Sequence, residues 1–489
     1  MLPSGWSTAN TAHWGAPCRF EVSAAVLFGS VARSAVGLSA LGLSVVVPPM
    51  AAVAVDRSPE MRVLLHEGPH LRLRADGTQA ITLQGLPEGE RQVRRLELRL
   101  QASGLLALID GEERRLSLST ILRASNDDPR GIWLGTRRYR GELQLSGRGG
   151  QLRVINALPI ETYLASVVGS EMPEAWPMAA LQAQAVAART YAFRQRKRGG
   201  GWDLKATVAS QVYRGAESET PRTREAVDST RTLVLVHRGQ LIDAVFHSSA
   251  GGVTEASGMV WRHQLPYLVS VPDHDQHSPV HRWEERFSPA QLRQRLPETG
   301  GIKAVDVLAR TSSGRVQRAR IRGPQGVLLL EGAELRQRLG LKSTLVSFEM
   351  VSGRSWMLPL PPPPPPPSGS GNSPRGPSRL DRITASIASP SPGSSRQRLV
   401  APAPSVLPSP FRRPQGVQGP PGPVLLVRGQ GYGHGVGMSQ WGAHGLAEQG
   451  VDFRSILRHY YRGAEVVPFR TLRNPSLARM PSPRPIWNG

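Results

Sequence analysis

The stretch that decides the fold is EMPEAWPMAALQAQAVAARTYAFR, which runs from Glu171 to Arg194. Its alanine-rich part predicts a long helix, because alanine has the best helix propensity. Pro177 suits the first turn of this helix, and the glycines after Arg198 end it. Glu171 precedes it, beside two prolines and a tryptophan. A carboxyl held among apolar side chains is a candidate for acid chemistry.

The surrounding segments are rich in predicted strands. From Met61 to Leu158, short runs carry apolar residues at alternate positions and are separated by turn signals such as Asp76-Gly77. From Ile160 the spacing becomes helical, and Gly169 is expected to end that helix just before Glu171. Strands return after Thr207, including a hairpin turned at Arg238-Gly239. These patterns predict an α+β fold whose β-rich body carries a helical insertion with the acidic residue.

The composition predicts attraction to anionic partners. The formal net charge is +23, and almost all of the positive charge comes from arginine. The arginines are scattered along strands and linkers, without the interleaved aromatics of a nucleic-acid surface, so we predict no nucleic-acid partner. An anionic cell wall or membrane face remains as the expected partner.

The first 54 residues have the pattern of a secretory signal peptide. A short apolar run, 35–47, is followed by two prolines and by Ala52-Val53-Ala54, an A-x-A cleavage pattern. Cleavage would remove Cys18 and leave a mature chain without cysteine or a membrane span; an uncleaved anchor is the alternative. Either way we expect the body of the protein to lie outside the cytoplasm.

The rest of the chain divides by composition. We predict a body at 57–355, made of a β-rich part (57–158), a helical part (159–198) and a second β-rich part (205–350). Residues 356–423 contain a seven-proline run and predict a disordered insertion. Residues 424–470 fold again, with helices at about Ser439–Gln449 and from an Asp452 cap to Tyr461, and 471–489 form a tail.

Glu171 has a structural interpretation as well as a catalytic one. As an acid at a helix N-terminus it would be stabilised by the helix macrodipole by only ~0.3–1 kcal/mol. That dipole would lower its pKa, the wrong direction for a general acid. Desolvation by Trp176 and other apolar neighbours would have to overcome this effect.

Two further patterns are less specific. The glycine-dense loop around His434 contains neither G-x-G-x-x-G nor a G-K-[ST] ending, the two phosphate-binding patterns. The loop therefore predicts either a close backbone approach to an extended ligand or a tight turn. A histidine-rich patch could hold a metal, but its spacing matches no known site; we predict no metal and no cofactor. The patch contains His247, His263, Asp273, His274, Asp275, His277 and His281.

Several stretches together resemble the stage II sporulation protein D / amidase-enhancer LytB family of bacterial cell-wall proteins. They begin with LRVINALPIETYLASVVGSEMPEAWPMAALQAQAVAARTYAF, continue with FHSSAGGVTE and end with GYGHGVGMSQWGAHGLAEQG. The resemblance implies that the chain binds peptidoglycan glycan strands, and that the C-terminal glycine-rich loop and helices fold back onto the body. The enzymatic members are lytic transglycosylases, and their catalytic glutamate falls on Glu171.

The implied mechanism uses one carboxyl as acid and then as base, giving 1,6-anhydro products without a second carboxylate. We predict that the substrate groove is lined by Gln184, Tyr191, His247, Ser249, Thr254, His434 and Gln440. Some members hold zinc with cysteines near the H-S motif, which this chain lacks there, so that site is not carried over. The alternatives are a non-enzymatic enhancer of a cell-wall amidase and a basic structural protein of the envelope.

Overall fold

The computed structural model describes residues 58–102, 104–196, 200–351 and 423–471. The predicted signal segment therefore lies outside the described residues. So do the predicted insertion and tail, apart from Pro423 and Thr471. Within the described ranges, no helix is long and apolar enough to cross a membrane.

The N-terminal region consists of two sheets whose apolar sides contribute to one core. Alternation explains which side is buried: in HLRLR, Leu71 and Leu73 point inward while the flanking basic residues are exposed. The strands are β1 (Glu60–Gly68), β2 (His70–Arg74), β3 (Ile81–Leu86), β4 (Gly89–Val93), β5 (Arg95–Gln101), β6 (Gly104–Ile109), β7 (Glu112–Leu116), β8 (Ile121–Ser125), β9 (Ile132–Leu134), β10 (Arg137–Tyr139), β11 (Glu142–Arg148) and β12 (Gln151–Pro159).

The larger sheet has the order β13-β1-β12-β11-β8-β3-β4 and the smaller one β10-β9-β2-β5-β6-β7, with β13 at Leu204–Lys205. Three helices follow the sheets in sequence: α1 (Ile160–Glu171), α2 (Met178–Gln195) and α3 (Pro221–Ser229). The β-rich body with a helical insertion confirms the predicted α+β class.

The prediction that Gly169 ends the first helix is wrong, because α1 continues to Glu171. Gly169 is helical and lies directly against the carbonyl of Ser218, where a Cβ atom would overlap the carbonyl oxygen. Its small size serves close packing and not helix termination.

A buried ion pair fixes α1 against α2. The guanidinium of Arg189 and the carboxylate of Glu161 are 0% and 3% exposed, and their closest N–O distance is 2.6 Å. Arg189 also donates to the carbonyls of Val227 and Leu233, and Glu161 accepts from the backbone N–H of Thr232. Both charges are therefore satisfied inside the protein, as burial requires.

After α3 the chain forms short strands and one helical turn: β14 (Leu233–His237), β15 (Gln240–Leu241), β16 (Phe246–His247) and α4 (Ser257–Val260). The predicted hairpin is confirmed, since β14 and β15 pair across Arg238-Gly239. Both turn residues have positive φ, 51° and 73°, as a tight two-residue hairpin requires.

Residues 282–351 form a second module with its own core, which includes Phe287, Leu292, Ile321 and Leu335. Its elements are β17 (Arg282–Phe287), α5 (Pro289–Arg295), β18 (Ala304–Arg310), β19 (Val316–Gly323), β20 (Gly326–Glu331), α6 (Gly332–Leu339) and β21 (Val346–Val351). β18, β19 and β20 form one three-stranded sheet.

The segment after the predicted insertion folds back onto the body, as expected. Its elements are β22 (Val424–Gln430), β23 (Met438–Ser439), α7 (Gln440–Glu448), α8 (Phe453–Tyr460) and β24 (Glu465–Pro468). β22 lies between β17 and β21, β23 pairs with β16, and β24 pairs with β14. Ser439 and Asp452 cap α7 and α8 by accepting backbone N–H bonds.

We expect Arg189→Met to lower the free energy of unfolding by about 3–5 kcal/mol, because it leaves the Glu161 carboxylate buried without its partner. Chemical denaturation measures this change. The double variant Glu161→Leu/Arg189→Met should recover much of the loss. Arg231→Met, at an exposed ion pair with Asp228, is the control and should have little effect. A loss at Arg189 no larger than at Arg231 would contradict the structural role.

Candidate functional site

Glu171 is the last residue of α1 and not an acid at the start of α2, which begins at Met178. The next residue, Met172, is extended, as expected for a residue that precedes a proline. The predicted macrodipole effect therefore has the wrong sign. At a helix C-terminus the partial negative charge disfavours the carboxylate and favours the protonated acid.

The Glu171 carboxyl is held by two donors from distant segments. The backbone N–H of Val212 donates to Oε1 at 2.8 Å, and the side-chain amide of Gln440 donates to Oε2 at 3.2 Å. Both bonds, and the charge of Arg214, favour the carboxylate. Burial outweighs them, so the pKa of Glu171 is raised above its usual value. By surface area the residue as a whole is only partly buried.

Sequence reasoning missed the segment that positions the Val212 N–H. The buried Gln211 accepts from the hydroxyl of Tyr163 at 3.0 Å and donates to the carbonyl of Ala188 at 3.1 Å. The hydroxyl of Tyr213 donates to Asn156 at 2.8 Å. Gln211, Tyr213 and Gly215 are buried at alternate positions of this segment, which the residue types alone do not indicate. Nothing local indicated which side chain it would meet.

Gln184 and Tyr191 lie on one side of α2, two turns apart. Tyr191 lies close to Tyr163, and the charge of Glu171 contributes to raising the pKa of Tyr163. Burial raises the pKa of Tyr191 to about 12, so its hydroxyl stays protonated. Gln184 is fully buried, and its amide has no hydrogen-bond partner among the described residues. A buried amide without partners is costly to the fold.

His247 and His434 form a pair of neutral imidazoles, with ring centroids 5.2 Å apart. The N–H of Val436 donates to Nδ1 of His434, so Nε2 of His434 carries the proton and donates to the carbonyl of Phe246. His247 Nδ1 donates to the carbonyl of Val436 at 3.1 Å.

Burial lowers the pKa of His434 to about 3 and that of His247 well below its usual value, so both stay uncharged at neutral pH. The indole of Trp261 lies 5.5 Å from the His434 ring. The pair is connected to the carboxyl through strand pairing, because His247 lies opposite Ser439, the residue before Gln440.

Ser249 and Thr254 use their hydroxyls inside the protein. The Ser249 hydroxyl donates to the carboxylate of Asp275, and Thr254 bonds to the backbone of Val271 in both directions. Both residues are almost fully buried. Their observed contacts therefore stabilise the loop behind His247.

The acidic part of the histidine-rich patch is occupied by hydrogen bonds. Asp275 accepts from the backbone of Gly251 and Gly252 and from His281, and Asp273 accepts from the hydroxyl of Tyr460. Burial and the neighbouring Asp275 raise the pKa of Asp273 to about 6. In the part of the chain that the structure describes, no three His, Cys, Asp or Glu side chains are grouped to hold a metal.

An aromatic cluster joins α7 to the segment between α1 and α2. The indoles of Trp176 and Trp441 meet edge to face at 4.7 Å, and His444 packs against both. Trp441 follows Gln440 directly. The structure thus brings the C-terminal segment to the region of Glu171, with Gln440 on the carboxyl and Trp441 on Trp176.

Comparisons with known proteins agree with this geometry. Residues 148–237, which include Glu171, Gln184, Tyr191 and Val212, match the SpoIID family, described as stage II sporulation protein. The amidase enhancer of Bacillus subtilis is 31% identical over 310 residues, which cover 63% of this chain and 40% of that protein.

Two further relatives are matched over most of their own length. Stage II sporulation protein D of Bacillus subtilis is 26% identical over 345 residues, covering 66% of this chain and 79% of the relative. An uncharacterised protein of Brachyspira hyodysenteriae is 27% identical over 342 residues, covering 69% and 75%. The chain thus contains a segment that matches the SpoIID family, and about two thirds of its length is similar to stage II sporulation protein D and to the amidase enhancer.

Proposed function

We propose that this chain is an exported peptidoglycan-acting protein, and that it is a lytic transglycosylase with Glu171 as its acid/base. The observation that carries the proposal is the Glu171 carboxyl, which is held by Val212 and Gln440 and whose pKa is raised by burial. A raised pKa increases the fraction of Glu171 that is protonated at a given pH, and a general acid must be protonated to act. The match of residues 148–237 to the SpoIID family, and the names of the sporulation and amidase-enhancer relatives, support a role at the cell wall.

In this mechanism, protonated Glu171 donates its proton to the glycosidic oxygen as an oxocarbenium-like centre develops. The carboxylate then takes a proton from the 6-hydroxyl of the same sugar, whose oxygen closes onto the anomeric carbon. The bond to the leaving sugar is replaced by an intramolecular one, so no water is consumed. The product end is a 1,6-anhydro sugar.

Gln440 is a suitable partner for Glu171, which must change its protonation state during the cycle. Its amide donates to the carboxylate, and after a half-turn its carbonyl oxygen can accept from the carboxylic acid. The Val212 N–H stays on the other oxygen in both states. We propose that Tyr191 and His434 line the groove for the glycan, and that the buried Gln184, His247, Ser249 and Thr254 support its wall.

The second candidate function is a non-enzymatic enhancer of a cell-wall amidase. It is favoured by the amidase enhancer among the relatives, although this chain matches only 40% of that protein. In that case the groove would bind glycan without cleaving it.

We expect Glu171→Gln to reduce the release of anhydro-ended products by roughly 10²–10⁴-fold, because the amide cannot transfer a proton. Mass spectrometry of digested, peptide-free glycan strands measures the products. Glu174→Gln, at an exposed acid three residues away, should keep full activity. The enzyme proposal fails if wild type and Glu171→Gln both give no product while each stimulates an amidase.

We expect Gln440→Leu to raise the pKa of Glu171 further, because it removes a donor to the carboxylate. The limb of the pH–rate profile that reports the protonated acid should then move to higher pH. The profile of kcat/KM for wild type and variant tests this. A shift to lower pH would show that the limb belongs to another group.

We also expect Glu171→Gln to raise the free energy of unfolding at neutral pH. The folded state holds the Glu171 proton more tightly than the unfolded state, so wild-type stability falls as the pH rises through the pKa of the folded protein. The advantage of the variant should therefore shrink as the pH is lowered. Denaturation curves at neutral and acidic pH check this, and a gain that grows in acid would contradict the raised pKa.

A further inference from the structure

The second module contains a cleft that the Glu171 chemistry does not use. Its volume is about 670 Å³, and it is lined by residues of β17, β18, β21 and β22. Three arginines and one glutamate border it: Arg282, Arg310, Arg428 and Glu284. The cleft is therefore a cationic site separate from the carboxyl.

Two of these arginines carry charge that no carboxylate offsets among the described residues. Arg428 is paired with Glu284 and Glu349, at 3.3 and 2.7 Å. Arg310 donates instead to the carbonyls of Gly314 and Val346, which hold its guanidinium in place without neutralising it. Arg282 is exposed at the start of β17 and has no ion pair within the described ranges.

The wall of the cleft is rigid. The indole of Trp283 lies across Gly429 on the neighbouring strand, so closely that a Cβ atom there would overlap the ring. Its N–H donates to the carbonyl of Gly431 at 2.8 Å, and the ammonium of Lys342 lies 4.9 Å from the ring centroid. The contact of Trp283 with Gly429 fixes β17 against β22, and the guanidinium groups that project from these strands suit a ligand that carries carboxylates.

One strand serves both the cleft and the glycine-rich loop. Residues 428–430 of β22 line the cleft, and the chain then continues directly to His434. Four residues span at most about 14 Å. Groups bound in the cleft and beside His434 can therefore belong to one polymer.

We propose that this cleft binds the carboxylates of stem peptides on intact peptidoglycan, while the Glu171 groove takes peptide-free glycan. The identity of the polymer rests on the proposed function. The division of labour rests on charge, because Arg282 and Arg310 border the cleft without a carboxylate partner among the described residues, whereas Glu171 is a carboxyl that would repel the carboxylates of stem peptides. The cleft would keep the protein on peptide-bearing wall next to the strands on which it acts.

The test is binding of the full chain to sacculi from which phosphate polymers have been stripped with hydrofluoric acid. We expect Arg282→Gln/Arg310→Gln to weaken binding about tenfold, since hydrogen bonds to charged groups are lost. Removing the stem peptides with an amidase should weaken wild-type binding by a similar factor and abolish the difference between wild type and variant. Arg318→Gln/Arg320→Gln, on exposed positions of β19, is the control with the same change in charge and should bind like wild type.

Equal losses in the two double variants would overturn the proposal in favour of unspecific charge, and so would unchanged binding of Arg282→Gln/Arg310→Gln. Binding that disappears with the phosphate polymers would assign the cleft to phosphate instead. Two further measurements distinguish failure of this proposal from failure of the enzyme proposal. Glu171→Gln should bind sacculi like wild type, and Arg282→Gln/Arg310→Gln should cleave soluble peptide-free glycan as well as wild type does.

Discussion

The buried ion pair between Glu161 and Arg189 is the interaction on which the rest of the site depends. It joins the first turn of α1 to the middle of α2, and its remaining bonds reach the end of α3 and the start of β14. Two charges at almost zero exposure cannot separate without large cost. Because α1 is fixed at its first turn, its far end, where Glu171 lies, has a defined position relative to α2.

The other half of the site depends on glycine. At Gly442 the start of α7 lies against Asp273 and Tyr460, and at Gly445 it lies against the carbonyl of His274, with no room for a Cβ at either position. This close approach brings Gln440 to Glu171, 269 residues away in sequence. The density of glycine in this segment therefore reflects packing of the C-terminal part against the body. The hydrogen bonds of His434 to Val436 in its own loop and to Phe246 of the body also hold the C-terminal part against the body.

Sequence reasoning succeeded where the signal is local. Alternating apolar residues marked the strands, Arg238-Gly239 marked the hairpin, and Asp452 marked a helix start. It failed where the local structure depends on a contact between residues that are distant in sequence. Gly169 looked like a helix terminator, but its neighbour in space is Ser218. The environment of Glu171 was also misjudged, because the helix to which it belongs is α1 and because Val212 could not be placed from local pattern. Glu171 itself, Gln440 and the return of the C-terminal segment were anticipated through resemblance to a family and not through periodicity.

The pairing of Val351 with Val424 has a consequence for how such a chain can change over time. These neighbours on adjacent strands set where the chain leaves the sheet and where it returns, so the register of β21 and β22 does not depend on the length between them. Closing a flexible connection costs only about 0.6 kcal/mol more for each doubling of its length. Sequence can therefore be gained, lost or replaced at this junction while the strands on either side keep their places. The junction is a natural point for acquiring new segments without redesigning the groove.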